Sequence, residues 1–381
     1  MSTLLQETAP PPAPAGTRPP RILLACDWLL KYAAGLAQGL REAGADVALL
    51  TRDHALEYGG DAEEMRSELR ARLGADGPLW LVSGRIREIA GLRQLARIRA
   101  EIREFGADLT HFQQATMVDP RLFVAAARRP GHYAVTLHDP TVHPGDHQPT
   151  RVFHALEGMM FLGAGVSFTH GKALDDEARP KWWYRAPMEI VPHGVDVLRP
   201  APLPEVPTLL FFGRISHYKG LDVLLASMPQ VWATAPETRL VIAGHGDIPA
   251  SEVLDDPRVT VRNEHVPEST VPGLYNDATA VVLPYRQASQ SGVGSLAKSY
   301  GRASIVTNEG GLPELVADGS GIVVPSEDAG ALANALIEVV TEPGRAEAMG
   351  QAAAASAASE FSWKAVGEAT LDAYRRHGLL S

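Results

Sequence analysis

Short apolar runs alternating with amphipathic stretches set the rhythm of this chain. Residues 21–26 read as a buried strand, a helix runs from about 28 to 43 and is stopped by Gly44, and 46–51 form the next strand. That strand–helix–strand unit predicts a parallel sheet. Residues 54–78 are charged and irregular and read as a helical insertion before a strand at 79–82. Strands at 108–112, 133–139 and 163–170 follow, carrying His111, His138 and His170 near their ends, and 190–196 reads as a strand running into a turn. Four prolines, Pro200, Pro202, Pro204 and Pro207, then break the pattern and mark a linker at 199–207. The alternation resumes with strands at 209–212, 239–243, 259–262, 280–283, 304–307 and 321–324. An alanine-rich helix at 344–359 and a last helix at 363–377, capped by Ser362, complete the chain. The expected fold class is α/β: two doubly wound Rossmann-like sheets.

Composition narrows the function. The 381 residues are 45% hydrophobic and 21% charged, enough for two cores of ordinary size. A net charge of −10 argues against a general nucleic-acid binder. Cys26 is the sole cysteine, so an internal disulfide and a multi-cysteine zinc site are excluded. No metal site is expected. No apolar run reaches the ~18–20 residues that cross a bilayer. Residues 1–20, rich in Pro, Ala and Thr, read as a disordered tail rather than a signal peptide. The expected location is the cytoplasm. A basic helix at about 86–105, with Arg87, Arg93, Arg97, Arg99 and Arg103 set among Leu92, Leu95, Ile98 and Ile102, permits peripheral contact with the inner face of the plasma membrane. An ordinary surface helix is the commoner outcome of the same pattern.

The candidate chemistry gathers at strand ends. Phe211-Phe212-Gly213-Arg214-Ile215-Ser216-His217-Tyr218-Lys219-Gly220 passes from a buried strand through a glycine turn and sets two cations beyond its carboxyl end. That edge of an open α/β sheet is where ligands bind, and a guanidinium with an ammonium suits a diphosphate. Residues 284–293 follow another strand and open a helix whose small residues leave backbone N–H groups open to an anion. Gly310-Gly311 makes a further tight turn after the next strand. Lys181-Trp182-Trp183-Tyr184-Arg185 mixes aromatics and cations, as an interfacial anchor, an acceptor wall or a packed aromatic cluster would.

With these pieces in place, the second half resembles the donor-binding domain of the retaining GT-B glycosyltransferases. The likeness is to their largest family, which includes sucrose synthases and phosphatidylinositol mannosyltransferases. The matching stretches are Gly213-Arg214-Ile215 with Lys219-Gly220, Ala243-Gly244-His245-Gly246, Gly310-Gly311-Leu312-Pro313-Glu314 and Phe361-Ser362-Trp363. Val191-Pro192-His193-Gly194-Val195-Asp196 is similar to the family's segment before the linker, where Asn is commoner than His193. The resemblance implies an acceptor-binding domain at 21–198, a nucleotide-sugar-binding domain at 208–360, and a last helix at 361–381 that crosses back to the first domain. It implies a nucleoside diphosphate sugar as donor substrate, UDP or GDP, with no cofactor.

By position, Arg214 and Lys219 would hold the donor diphosphate, with N–H groups of Gly292 and Val293 and the turn at Gly310 and Gly311. His138 would lie beside the transferred sugar. Arg214, Lys219 and His138 are the expected catalytic set, and His111 and Asp139 are the expected acceptor contacts. Glu314 matches a position that is often structural, bonded to backbone near its own turn. Two departures stand out. Ala288 and Leu296 occupy the places of two family glutamates, which makes Gln290 or Ser291 the expected substitute. The loop after the first strand lacks the usual Gly-Gly pair, so donor contacts there are not expected. Two other readings stay open: a non-catalytic relative that binds a nucleotide sugar or a partner enzyme, and a nucleotide-sugar epimerase.

Overall fold

The computed structural model describes residues 18–83, 89–113, 120–140, 151–185 and 187–381, apart from the side chains at 89, 120, 123 and 151–154. Most of the tail at 1–20, and Arg87 with the start of the basic helix, lie outside the described residues.

Seven strands build the first sheet: β1 (Arg21–Ala25), β2 (Asp46–Arg52), β3 (Leu79–Val82), β4 (Leu109–Phe112), β5 (Tyr133–Thr136), β6 (Val166–Thr169) and β7 (Met188–Ile190). Six build the second: β8 (Thr208–Phe212), β9 (Arg239–Ala243), β10 (Val259–Arg262), β11 (Ala280–Leu283), β12 (Ala303–Thr307) and β13 (Gly321–Val324). Their orders are 3-2-1-4-5-6-7 and 10-9-8-11-12-13, and every pairing is parallel. Strands buried on both faces explain the near-continuous apolar runs: β4, β5, β6 and β11 are buried at every position. In each sheet the order reverses between two neighbouring central strands, β1 and β4 or β8 and β11. At that switch the crossover helices leave to opposite faces and open a crevice at the strands' carboxyl ends.

Two expectations shift. The region at 54–78 is no insertion: helix Ala62–Leu73 is the ordinary crossover from β2 to β3, its Met65, Leu69 and Leu73 buried. β7 ends at Ile190, and the run that follows leaves the sheet, with Val195 bridging to Ser362 instead. The basic helix, Ile89–Phe105, packs on the first sheet through Ile98 and Ile102, while Arg93, Arg97, Arg99 and Arg103 are exposed. Of the tryptophan pair, Trp183 is buried against Phe161 with ring centroids 4.3 Å apart, and Trp182 is exposed.

The last helix, Trp363–Arg376, starts where Ser362 Oγ accepts a hydrogen bond from Ala365 N at 3.2 Å. Its Trp363, Val366, Leu371 and Tyr374 lie in the core of the first sheet, not of the second sheet that precedes them in the chain. It crosses helix Leu30–Glu42 in backbone contact. An ideal Cβ at Gly39 would stand 1.9 Å from the Trp363 carbonyl oxygen, and one at Gly367 would stand 2.2 Å from the Gly39 carbonyl group.

Candidate active site

The second sheet supplies a cationic pocket. Gly213 turns the chain out of β8 with φ of +99°, a conformation that favours glycine. Lys219 is buried, its ammonium 5.0 Å from the Tyr285 ring centroid, and among the described residues no carboxylate pairs with it. A methyl placed on Gly213 would stand 3.1 Å from both Lys219 Nζ and Val293 Cγ2, so the ammonium and the start of helix Gly292–Ser299 meet over a bare backbone. Arg214 is exposed beside them. The loop is braced by Arg286, whose guanidinium donates to the His217 carbonyl at 2.9 Å and to both Asp222 oxygens at 2.8 Å. The Asp222 carboxylate beside it raises the Arg286 pKa above its ordinary value. This brace was not legible in the sequence, where Arg286 is one loop cation among several.

Ser291 is the N-cap of helix Gly292–Ser299: its Oγ accepts from Gly294 N at 3.2 Å. As the cap it accepts one hydrogen bond, and its O–H proton is still able to donate. The cap leaves the amides of Gly292 and Val293, at the positive end of the helix dipole, without intrahelical acceptors. Gln290 turns away from the pocket floor, its amide 3.4 Å from the His170 carbonyl oxygen. Ala288 is buried and Leu296 packs on the apolar core, so neither place holds a polar group. Gly310, at φ of +51°, closes the turn against the Ala288 carbonyl, which an ideal Cβ would approach to 1.6 Å.

The first sheet presents histidines. His170 Nδ1 lies 3.1 Å from the Val191 carbonyl, which can only accept, so that nitrogen carries the proton. His170 Nε2 must then accept from His138 Nδ1–H at 3.0 Å. His138 Nε2 has no hydrogen-bond partner among the described residues, and the Gln113 backbone near the ring partly opposes the lowering of its pKa. Burial first, then the neighbouring histidines, lowers the His138 pKa well below its ordinary value. The same causes bring His170 down to about 3, and burial brings His193 to about 4. The pair is therefore neutral and its tautomers are set. Tyr32 stands at the centre of the group, its ring 4.8 Å from His138, 4.9 Å from His170 and 4.9 Å from His193.

Asp139 is exposed just past β5, and its charge partly opposes the lowering at His170 and His193. His111 is a correction. Its Nδ1 meets Tyr374 Oη at 2.5 Å and its Nε2 meets Thr136 Oγ1 at 2.7 Å, which leaves no ring nitrogen for an acceptor. It braces the last helix onto β4 and β5. Gln113 is the polar residue that the sequence did not single out: fully buried after β4, its amide has no hydrogen-bond partner among the described residues. In the loop after β1, Leu29 takes the left-handed conformation at φ of +63°, and the Glu57 carboxylate caps the helix behind it, accepting from Leu30 N at 2.9 Å. A carboxylate of the protein's own thus caps that helix start.

The two halves touch. Lys31 pairs with Glu268, Gly59 packs on His265, and Glu314 accepts from Lys172 N at 2.8 Å and Ala173 N at 2.7 Å. Glu314 is thus bonded to backbone across the cleft rather than to its own turn.

Known proteins resemble this chain in sequence and in fold. Residues 206–342 match the family model described as "Glycosyl transferases group 1", and residues 30–194 match "Glycosyl transferase 4-like domain". A glycogen synthase of Mycobacterium tuberculosis is 27% identical over 238 residues, covering 59% of this chain and 57% of that protein. A D-inositol 3-phosphate glycosyltransferase of Segniliparus rotundus is 30% identical over 49% of this chain and 46% of its own. The chain spans about half the length of the curated relatives it matches. Among solved structures, a sucrose-phosphate synthase from Thermosynechococcus elongatus aligns with a TM-score of 0.70 at 19% identity, covering 95% of this chain and 100% of that one. The Anabaena protein HepE in complex with UDP and glucose aligns with a TM-score of 0.67 at 16% identity, over 93% of this chain and 99% of that one.

Proposed function

We propose that this chain, whose two halves match glycosyl transferase family models and whose fold is GT-B, transfers a sugar from a nucleoside diphosphate sugar to an acceptor hydroxyl with retention of anomeric configuration. The observation that carries the reading is the pocket where Lys219, buried with no carboxylate partner among the described residues, meets the open start of helix Gly292–Ser299. A buried cation of this kind is stable in the presence of an anion. As the bond from the anomeric carbon to the diphosphate breaks, the electron pair moves to the phosphate oxygen. Arg214, Lys219 and the amides of Gly292 and Val293 stabilise the charge that grows there. The acceptor oxygen bonds to the anomeric carbon on the face that the diphosphate leaves, and the departing phosphate takes the acceptor proton. His138 Nε2 accepts a hydrogen bond from a hydroxyl of the sugar. Gln113, able to donate and accept, suits a second hydroxyl.

UDP- and GDP-sugars are the donors we favour. UDP is the nucleotide in the HepE structure, and the Corynebacterium glutamicum relative, 30% identical over 47% of this chain, is described as GDP-mannose-dependent. We place the acceptor against the first sheet, within reach of Asp139.

Calorimetric titration of nucleoside diphosphates and their sugars, repeated on Arg214→Ala/Lys219→Ala, tests the proposal. Micromolar binding of one nucleotide, weakened at least ~10²-fold in the double variant, is the expected result, since one such contact is worth on the order of 3 kcal/mol. A folded wild-type protein that binds no nucleotide sinks it. Apolar Ala288 and Leu296 favour a second reading, a protein that binds the nucleotide sugar without transfer. Release of nucleoside diphosphate from the bound donor separates the two, because only the enzyme turns over.

A further inference from the structure

The turn at Gly310-Gly311 does more than close the proposed phosphate pocket. Four residues on, Glu314 crosses to the first half and holds two consecutive amides, Lys172 N and Ala173 N, with its two carboxylate oxygens. Gln290, from the loop before helix Gly292–Ser299, approaches the His170 carbonyl beside them. Bare glycines make the approach possible. A Cβ on Gly171 would stand 2.5 Å from Glu314 Oε2 and 2.9 Å from Gln290 Nε2, and one on Gly311 would stand 2.5 Å from Gln290 Nε2. The segment gripped in this way begins at the residue after His170, whose ring sets the tautomer and position of His138.

We propose that Glu314 is a positioning residue for transfer: it ties the donor's phosphate turn to the segment behind His170, so that a donor seated at the turn also seats His138. The proposal rests on the donor reading above. It gives a physical route between two sites on different sheets: a charge-assisted pair of hydrogen bonds that exists only when the halves are together. The contacts lie at the exposed rim of the cleft, where the pair can form and part as the cleft closes and opens.

The test uses the full chain as wild type, Glu314→Ala, Glu314→Gln and Gly171→Ala. Gly171 is extended, with φ of −178°, so alanine fits its backbone and the new methyl displaces the ends of the Glu314 and Gln290 side chains. Each protein is titrated with UDP and GDP, its amide exchange is followed with and without the nucleotide that binds, and turnover is read as hydrolysis of the corresponding nucleotide sugar.

In the wild type, nucleotide should slow exchange at 172 and 173. In Glu314→Ala and Gly171→Ala that protection should vanish and the hydrolysis kcat should fall on the order of tenfold, the size of a typical coupling between sites. Nucleotide affinity and the KM for donor should stay within about threefold. Glu314→Gln, with one accepting oxygen, should recover part of kcat. Normal nucleotide binding with amides 172 and 173 indifferent to it, or with kcat unchanged in both variants, overturns this proposal and leaves the donor reading intact. A wild type that binds no nucleotide overturns both.

Discussion

Single residues carry the sharpest consequences of burial. His111, His138, His170 and His193 are kept neutral, with pKa values of about 3 for His111 and His170 and about 4 for His193. In the unfolded chain each takes a proton near its ordinary value of 6.5. Between those limits the unfolded state binds more protons, so their contribution is present above pH 6.5 and is lost as pH falls. Each such group can add up to about 1.4 kcal/mol per pH unit to the slope. Urea midpoints measured at pH 7, 6 and 5 should fall steadily, and His193→Asn should flatten the dependence by no more than one histidine's share. A midpoint independent of pH in this window would mean that the histidines are solvated. The positions of these histidines were readable as strand ends. Their division was not: His111 and His138 both end apolar strands, and only the packing of Tyr374 against one and Tyr32 against the other separates a brace from a site residue.

Among the elements, the crossing of helices Leu30–Glu42 and Trp363–Arg376 is the tightest. Gly39 and Gly367 bring the two backbones into contact, with Trp363 filling the space over Gly35. Alanine is the better helix former by about 1 kcal/mol, so an exposed glycine replaced by alanine would stabilise. At Gly39 the added methyl collides with a backbone carbonyl that cannot rotate away, and Gly39→Ala should destabilise the protein by about 1–3 kcal/mol in urea unfolding. A stabilised variant would show that the helices stand further apart. The helix itself was legible from its apolar spacing and from Gly44 after it, but nothing in a local pattern says that two glycines face a partner more than three hundred residues away.

At the scale of the whole molecule, the last helix decides which half is independent. Its Trp363, Val366, Leu371 and Tyr374 belong to the core of the first sheet. A chain ending at residue 360 should keep amide protection in β8 to β13 and lose it across β1 to β7, because four large apolar side chains leave that core together, each worth about 1.5–3 kcal/mol when buried. Hydrogen exchange of the truncated protein reads this directly, and retained protection in β1 to β7 would show that the helix is dispensable.

What the sequence determined by itself is what local periodicity encodes. Twelve of the thirteen strands among the described residues, most of the crossover helices and the glycine turns beyond β8, β9 and β12 follow from runs of apolar residues and from where glycine interrupts them. A strand buried on both faces or a helix with one apolar stripe leaves that mark wherever it lies in space. The tertiary structure alone decided which strand-end groups share a cleft and which are already occupied. His111 between Tyr374 and Thr136, Glu57 on a helix start and Glu314 on the opposite half all look available in a linear reading. Whether a polar group is free depends on partners brought to within about 3 Å by folding, and that distance bears no relation to their separation along the chain.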